Sequence, residues 1–250
     1  MSTEGSGASR GGGEEFHNED AFRAEAGLGF YVVSDGASER PAGEVAAKVA
    51  TRALERFVTE ALADPTRAGR VEDEIVEVGM RRAFEAIRDA AEEQPRNDGM
   101  TASMTMLLTD GHRGVIGHRG DSRAYLIRRR RAVRLTVDQE LTDDVDTGSD
   151  GGIQVFALDL HPGDALVLCT DGAEDVVEDE SLVRAAGEVS PRLLASRIVS
   201  AANRRFPDRD ATAVAVRVLG GRSTGFLELS GEPEETAFGH TLAALRETED

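Results

Sequence analysis

Hydrophobic positions along this chain switch between two periods. Val45, Val49, Ala53, Phe57 and Ala61 recur at every fourth residue, and Asp64-Pro65 ends the run, so a helix is expected over roughly Gly43–Ala63. A second helix is expected over Val71–Glu93, with Ile75, Met80, Ala83, Phe84, Ile87 and Ala91 on one face and Pro95 and Gly99 closing it. The middle of the chain is different. Thr101–Thr109, Arg113–Arg119, Ser122–Ile127 and Ala132–Thr136 are short, β-branched or alternating runs separated by turn residues, the signature of strands. Further strands are expected at Leu28–Ser34, Ile153–Leu160, Ala165–Cys169 and Ala211–Val218, and Ser190-Pro191 supplies an N-cap and first-turn pair for a helix reaching about Arg205.

Two early helices, a run of strands and one late helix predict an α+β fold in which helices pack on a central pair of mostly antiparallel sheets. Residues 1–12 are Gly- and Ser-rich and are expected to be a flexible N-terminal segment without the apolar stretch of a signal peptide. The folded domain is expected over 13–219, with 220–250 as an acidic C-terminal tail. Arg128 to Arg131 form a charged hairpin tip between two strands, and Asp143–Gly152 an acidic loop.

Composition narrows the function classes. The 250 residues carry 47 Asp+Glu against 29 Lys+Arg, a net charge of −18, which repels nucleic acid and anionic membranes and attracts divalent cations. Only 4% of the residues are aromatic and none is Trp, so the core must be built from Val, Leu, Ile and Ala. The single cysteine, Cys169, excludes an internal disulfide and a Cys-rich zinc site. No apolar run approaches membrane-spanning length, and a cytoplasmic, monomeric protein is expected. The five His residues show no metal-binding spacing, and there is no phosphate-cradling Gly-x-x-x-x-Gly-Lys loop.

The chemistry concentrates where apolar runs end in Asp. Val32-Val33-Ser34-Asp35-Gly36, Gly120-Asp121-Ser122 and Leu168-Cys169-Thr170-Asp171-Gly172 share that context, and Asn18-Glu19-Asp20 precedes the first of them. One Asp-Gly is ordinary turn chemistry. Four acidic sites in this order can converge from strand ends into the all-oxygen environment that Mg²⁺ and Mn²⁺ prefer.

In these motifs the chain resembles the PPM family, the protein phosphatase 2C-type Ser/Thr phosphatases, over about residues 13–218. The resemblance rests on the acidic motifs above together with Ala42-Gly43-Glu44-Val45-Ala46, Gly99-Met100-Thr101-Ala102, Arg123-Ala124-Tyr125-Leu126, Leu135-Thr136-Val137-Asp138, Gly163-Asp164-Ala165 and Asp210-Ala211-Thr212. It implies a four-layer αββα sandwich with two Mn²⁺ or Mg²⁺ ions between the sheets and a weak third site. It further implies that Asp35 bridges the two ions, that the Gly36 carbonyl binds one of them and Glu19 and Asp20 hold that ion directly or through water, that Asp171 holds the other, and that Asp121 with Asp171 forms the third. The implied reaction is hydrolysis of phosphoserine or phosphothreonine on a phosphoprotein, such as the target of a Ser/Thr kinase, by attack of metal-bound water, with Asp35 and Asp171 as the catalytic carboxylates.

Three departures from that family pattern fall on functional parts. Arg209 occupies the place of the last metal-ligating Asp, leaving Asp208 or Asp210 as substitutes, with Asp210 taken as the ligand. Glu15 stands where a phosphate-binding Arg is usual. The flap between the Leu135 motif and Thr170 is short, and Gln139-Glu140 replace its usual His-Ser. They keep a second reading open, a pseudophosphatase of the same fold that binds a phosphoprotein or kinase without turning it over.

Overall fold

The computed structural model describes residues 1–13, 18–38, 42–64, 73–141 and 152–220. Ten strands run in chain order as β1 (Ser2–Arg10), β2 (Asp20–Glu25), β3 (Phe30–Ala37), β4 (Thr101–Thr109), β5 (Arg113–Arg119), β6 (Arg123–Arg128), β7 (Arg131–Arg134), β8 (Gln154–Asp159), β9 (Ala165–Cys169) and β10 (Ala211–Leu219) among the described residues. Five helices accompany them: α1 (Gly43–Ala63), α2 (Asp73–Glu93), α3 (Asp171–Val177), α4 (Glu180–Ala186) and α5 (Pro191–Arg205). One antiparallel sheet has the order β1-β10-β9-β6-β7 and the other β2-β3-β4-β5-β8. The expected αββα layering follows from which faces are apolar.

On β3, Phe30 and Val32 point at α1 and α2 in one apolar layer with Met80, Phe84 and Met104. On the other sheet, Val167, Cys169, Ala213 and Ala215 pack against α3, α4 and α5 around Val176, Leu194 and Ile198. The alternate residues, Tyr31, Val33, Leu107 and Ile116 on one sheet and Leu126, Leu166, Leu168 and Val214 on the other, are equally buried and belong to neither helix-facing layer. By the two-residue period of strands they face the opposite sheet and form the central layer. Cys169 is fully buried at the end of β9, flanked by Ala213 and Arg123 on the neighbouring strands, and burial pushes its thiol far above the usual range.

Helix α1 turns a different face inward from the one its large residues mark. Ala46, Ala47, Ala50, Thr51, Leu54 and Val58 are buried, whereas Val45 is 36% exposed. Small residues let the helix lie close on β3, and Gly79 of α2 lets it lie close on α1, because a Cβ there would fall 2.9 Å from Leu54. The arginine hairpin is a two-residue turn with Arg129 and Arg130 at φ 51° and 63°, the mirror-image geometry that matches strand twist.

The N-terminal segment corrects the sequence expectation. Ser2–Arg10 is not a loose lead-in but the edge strand β1, paired along its length with β10. Its glycines are required by neighbours in the facing sheet: a Cβ on Gly5 would fall 2.1 Å from the Tyr31 ring and one on Gly7 2.3 Å from the Phe22 ring. Thr3 hydrogen-bonds the Tyr31 hydroxyl at 2.9 Å, tying the two sheets together at this edge. Residues 220–250 were expected to form a tail and Asp143–Gly152 a loop; Gly220 ends the described chain, and 221–250, like 142–151 and Glu15, lie outside the described residues.

Candidate metal centre

The first acidic pair is assembled by strand register. In the β2–β3 ladder Asp20 lies directly opposite Asp35, so both carboxylates stand on the same face of the sheet, the face that Val33 and Tyr31 turn toward the other sheet. The expected strand ended at Ser34 with Asp35-Gly36 in a turn; instead β3 continues to Ala37, and the pleat rather than a turn aims Asp35. Thr170, at the end of β9, reaches across from the opposite sheet and donates its hydroxyl to Asp20 Oδ2 at 2.9 Å. The next residue, Asp171, opens α3 and lies close enough to Asp35 for their carboxyls to share a hydrogen bond.

Electrostatics mark this as a site that lacks positive charge where its carboxylates meet. Burial, then the charges of Asp20, Asp171 and Asp121, push the Asp35 carboxyl up to about 9. Burial likewise pushes Asp20 up to about 7, helped by Asp210 and Asp171 and opposed by hydrogen bonds from Thr212 and Thr170. Asp20 is only 6% exposed, and its Oδ1 has no hydrogen-bond partner. An orphaned buried carboxylate oxygen costs on the order of 1–3 kcal/mol, so a cation is the natural partner.

Glu19 and Gly36 join this centre through the start of α1. The Glu19 carbonyl accepts the Gly36 N–H at 3.1 Å. Gly43, the first residue of α1, admits both: a Cβ there would fall 2.5 Å from the Gly36 carbonyl oxygen and 2.7 Å from the Glu19 carboxyl carbon. Asp121 is exposed on the turn between β5 and β6, beside Gly120 at φ 101°. A buried polar ladder supports that turn: Ser34 donates to the Ser103 carbonyl at 2.9 Å, Ser103 and Ser122 share a hydroxyl contact, and Thr105 donates to the Ser122 carbonyl at 2.9 Å.

Asp210, expected as a metal ligand, is tied to the backbone in the described structure. Its Oδ1 accepts the Gly12 N–H at 2.8 Å and its Oδ2 the Glu19 N–H at 2.7 Å, so the carboxylate fastens β10 to the chain leading into β2. Both oxygens are thereby engaged by backbone, and Asp208 is exposed beside it. Arg209 points the other way and donates to Asp171 Oδ2 in an ion pair. Among the described residues, no three Asp, Glu, His or Cys side chains already form a ready coordination shell.

Thr170, Thr212, Ser34 and Ser122 stand within the motifs read from the sequence, but the sequence assigns none of them, nor Ser103 and Thr105, a part in the site. Their only signal was position, immediately beside the acidic motifs, and hydroxyl residues are too common there to stand out. Arg123 is a further support: it forks onto Asp138 at 3.0 and 2.7 Å and pairs with Glu174 at 2.9 Å, joining β6, the segment after β7 and α3 beneath the site.

The donor set fits a divalent cation at the Asp20–Asp35 end: hard oxygens, one of them orphaned, with a glycine-cleared approach beside Glu19 and Gly36. At the Asp171 end a guanidinium already supplies the positive charge. A groove of ≈ 650 Å³ runs from Asp20 between β1 and β2, with Arg23, Lys48 and Arg52 along it.

A sandwich with carboxylates at the mouth between its sheets defines the class, and the comparisons agree. The family profile named Protein phosphatase 2C matches residues 13–205, and the chain belongs to that family. Among its relatives, the serine/threonine protein phosphatase PstP of Mycobacterium tuberculosis is 27% identical over 226 residues, covering 81% of this chain but 42% of its own length. The serine/threonine phosphatase stp of Listeria monocytogenes is 24% identical over 197 residues, covering 66% of this chain and 76% of the relative. The chain thus spans less than half the length of the mycobacterial relative. The structure of the PstP catalytic domain in complex with two manganese ions superposes with a TM-score of 0.75 at 25% identity, covering 88% of this chain and 99% of that one. Among the described residues no helix is long and apolar enough to cross a membrane.

Proposed function

We propose that this chain is a Mn²⁺- or Mg²⁺-dependent protein Ser/Thr phosphatase. The observation that carries the reading is the facing pair Asp20–Asp35, in which Asp20 is buried with one oxygen orphaned and the half-buried Asp35 feels its repulsion. Asp20, Asp35, the Gly36 carbonyl and Glu19 would hold the ion. When bound, such an ion supplies Lewis-acid chemistry, lowering the pKa of water and offsetting phosphoryl charge.

The chain's own residues do the rest. Thr170 fixes the Asp20 carboxylate by its hydrogen bond, and the β2–β3 ladder sets the spacing of Asp20 and Asp35. Asp35 and Asp171, whose carboxyls interact, would be the groups that accept a proton from an attacking water. Arg23, Lys48 and Arg52 line the groove that leads to Asp20, where a phosphorylated segment of a protein substrate would lie.

The test is hydrolysis of p-nitrophenyl phosphate and of a phosphothreonine peptide with Mn²⁺, with Mg²⁺ and with EDTA, alongside Asp35→Asn. Metal-dependent turnover that falls by about 100-fold or more in the variant is expected. Folded protein that turns over neither substrate with either metal would leave the second reading, a phosphoprotein- or kinase-binding module, which the Arg209–Asp171 ion pair favours.

A further inference from the structure

We propose that the guanidinium of Arg209 is a resident cation of this centre, so that the chain holds a single divalent ion at the Asp20–Asp35 end and admits a second only when Arg209 is removed. The inference rests on the metal-dependent reading above but concerns how many ions the centre takes.

The carboxylates form a row. Asp20 faces Asp35 across the ladder, Asp35 meets Asp171, and Asp171 Oδ2 accepts the Arg209 guanidinium. One end of the row has an oxygen without a partner; the other has a cation on it. An ion arriving at Asp171 would have to displace a fixed positive charge and would feel its repulsion once there.

Arg209 is held in place by its neighbours. The Arg209 N–H donates to the Phe206 carbonyl at 3.3 Å, and its guanidinium carbon lies 5.7 Å from the Phe206 ring centroid. Its backbone lies against Gly12, where a Cβ would fall 2.5 Å from the Arg209 nitrogen. Asp210, the next residue, is fastened through both oxygens to Gly12 and Glu19. The backbone on both sides is therefore tied down, and Asp210 is engaged elsewhere and cannot turn to replace the cation with a carboxylate.

The experiment counts ions without substrate. Metal-free full chain, Arg209→Ala and Arg209→Asp are titrated with Mn²⁺ by calorimetry and checked by native mass spectrometry and electron paramagnetic resonance. Thermal unfolding in EDTA verifies that the variants fold; Arg209 is an exposed loop residue. The expected result is one ion on the natural chain, with the spectrum of isolated Mn²⁺. Arg209→Ala is expected to gain a second site, and Arg209→Asp to bind that second ion about tenfold more tightly than Arg209→Ala, with the spectrum of a coupled pair. Two ions of similar affinity on the natural chain overturn the inference, as do variants that stay at one ion or a set of proteins that binds none. A rise from one ion to two in protein that hydrolyses neither phosphate substrate upholds the inference and sinks the catalytic reading. Hydrolysis by a natural chain carrying two ions does the reverse.

Discussion

Thr170 does more at the centre than its size suggests. Its hydroxyl donates to Asp20 Oδ2 and also accepts the Thr212 N–H at 3.0 Å, so one side chain joins the ends of both sheets. Thr170→Val keeps the shape and removes both bonds. In urea unfolding without metal it is expected to cost about 2 kcal/mol, the scale for leaving buried polar groups unpartnered. Mn²⁺ affinity is expected to fall by about 10- to 100-fold, as when an outer partner of a ligand is lost. Thr170→Ser should restore most of both; unchanged Mn²⁺ binding in the valine variant would show that the hydroxyl does not position Asp20.

At the scale of elements, what was legible in the sequence depended on length and on side chains with period. The expected bounds of α1, β4, β5, β9 and α5 coincide with the observed ones because each has an apolar rhythm closed by Gly, Pro or Asp. Helices α3 and α4, seven residues each, are too short to show a period. Strand β1 was illegible for a physical reason: the rings of Tyr31 and Phe22 occupy the space its side chains would take, so the strand had to be written in glycine and looked like a linker. The acidic motifs were legible as a set, but the engagement of Asp210 was not, since it depends on Gly12, 198 residues away in sequence. The β1 account is testable with Gly5→Ala. Tyr31 is fully buried and bonded to Thr3, so its ring has nowhere to move, and a loss of about 1–3 kcal/mol in urea unfolding is expected. An unchanged midpoint would mean that β1 does not dock against Tyr31.

For the whole molecule, acid stability carries the mark of one buried imidazole. His118 on β5 is fully buried, with Thr105 Oγ1 at 2.9 Å on one ring nitrogen and the Val137 carbonyl at 3.0 Å on the other. Burial lowers its pKa from 6.5 to about 4, despite raising influences from the Val137 carbonyl and Asp138. Between those values the unfolded chain binds a proton that the folded one refuses. Stability from this group is therefore complete above about pH 6.5 and falls as pH drops toward about 4, by at most about 3 kcal/mol. The raised carboxyls of Asp20 and Asp35 work in the opposite sense in metal-free protein, so the difference between the natural chain and His118→Gln isolates the effect. Urea unfolding at pH 7 and pH 4.5 should show the smaller loss in the variant; equal losses would assign the acid sensitivity elsewhere.

The lone thiol of Cys169 has a use of its own. It sits on the helix-facing side of the sheet that leads into Thr170 and Asp171, and no solvent reaches it while α3, α4 and α5 stay packed over that sheet. A thiol-specific dye can therefore attach only during the moments when the helix layer lifts from that sheet. With one cysteine in 250 residues there is no second signal to subtract, and the rate of labelling becomes a clock for rare openings beneath the carboxylates.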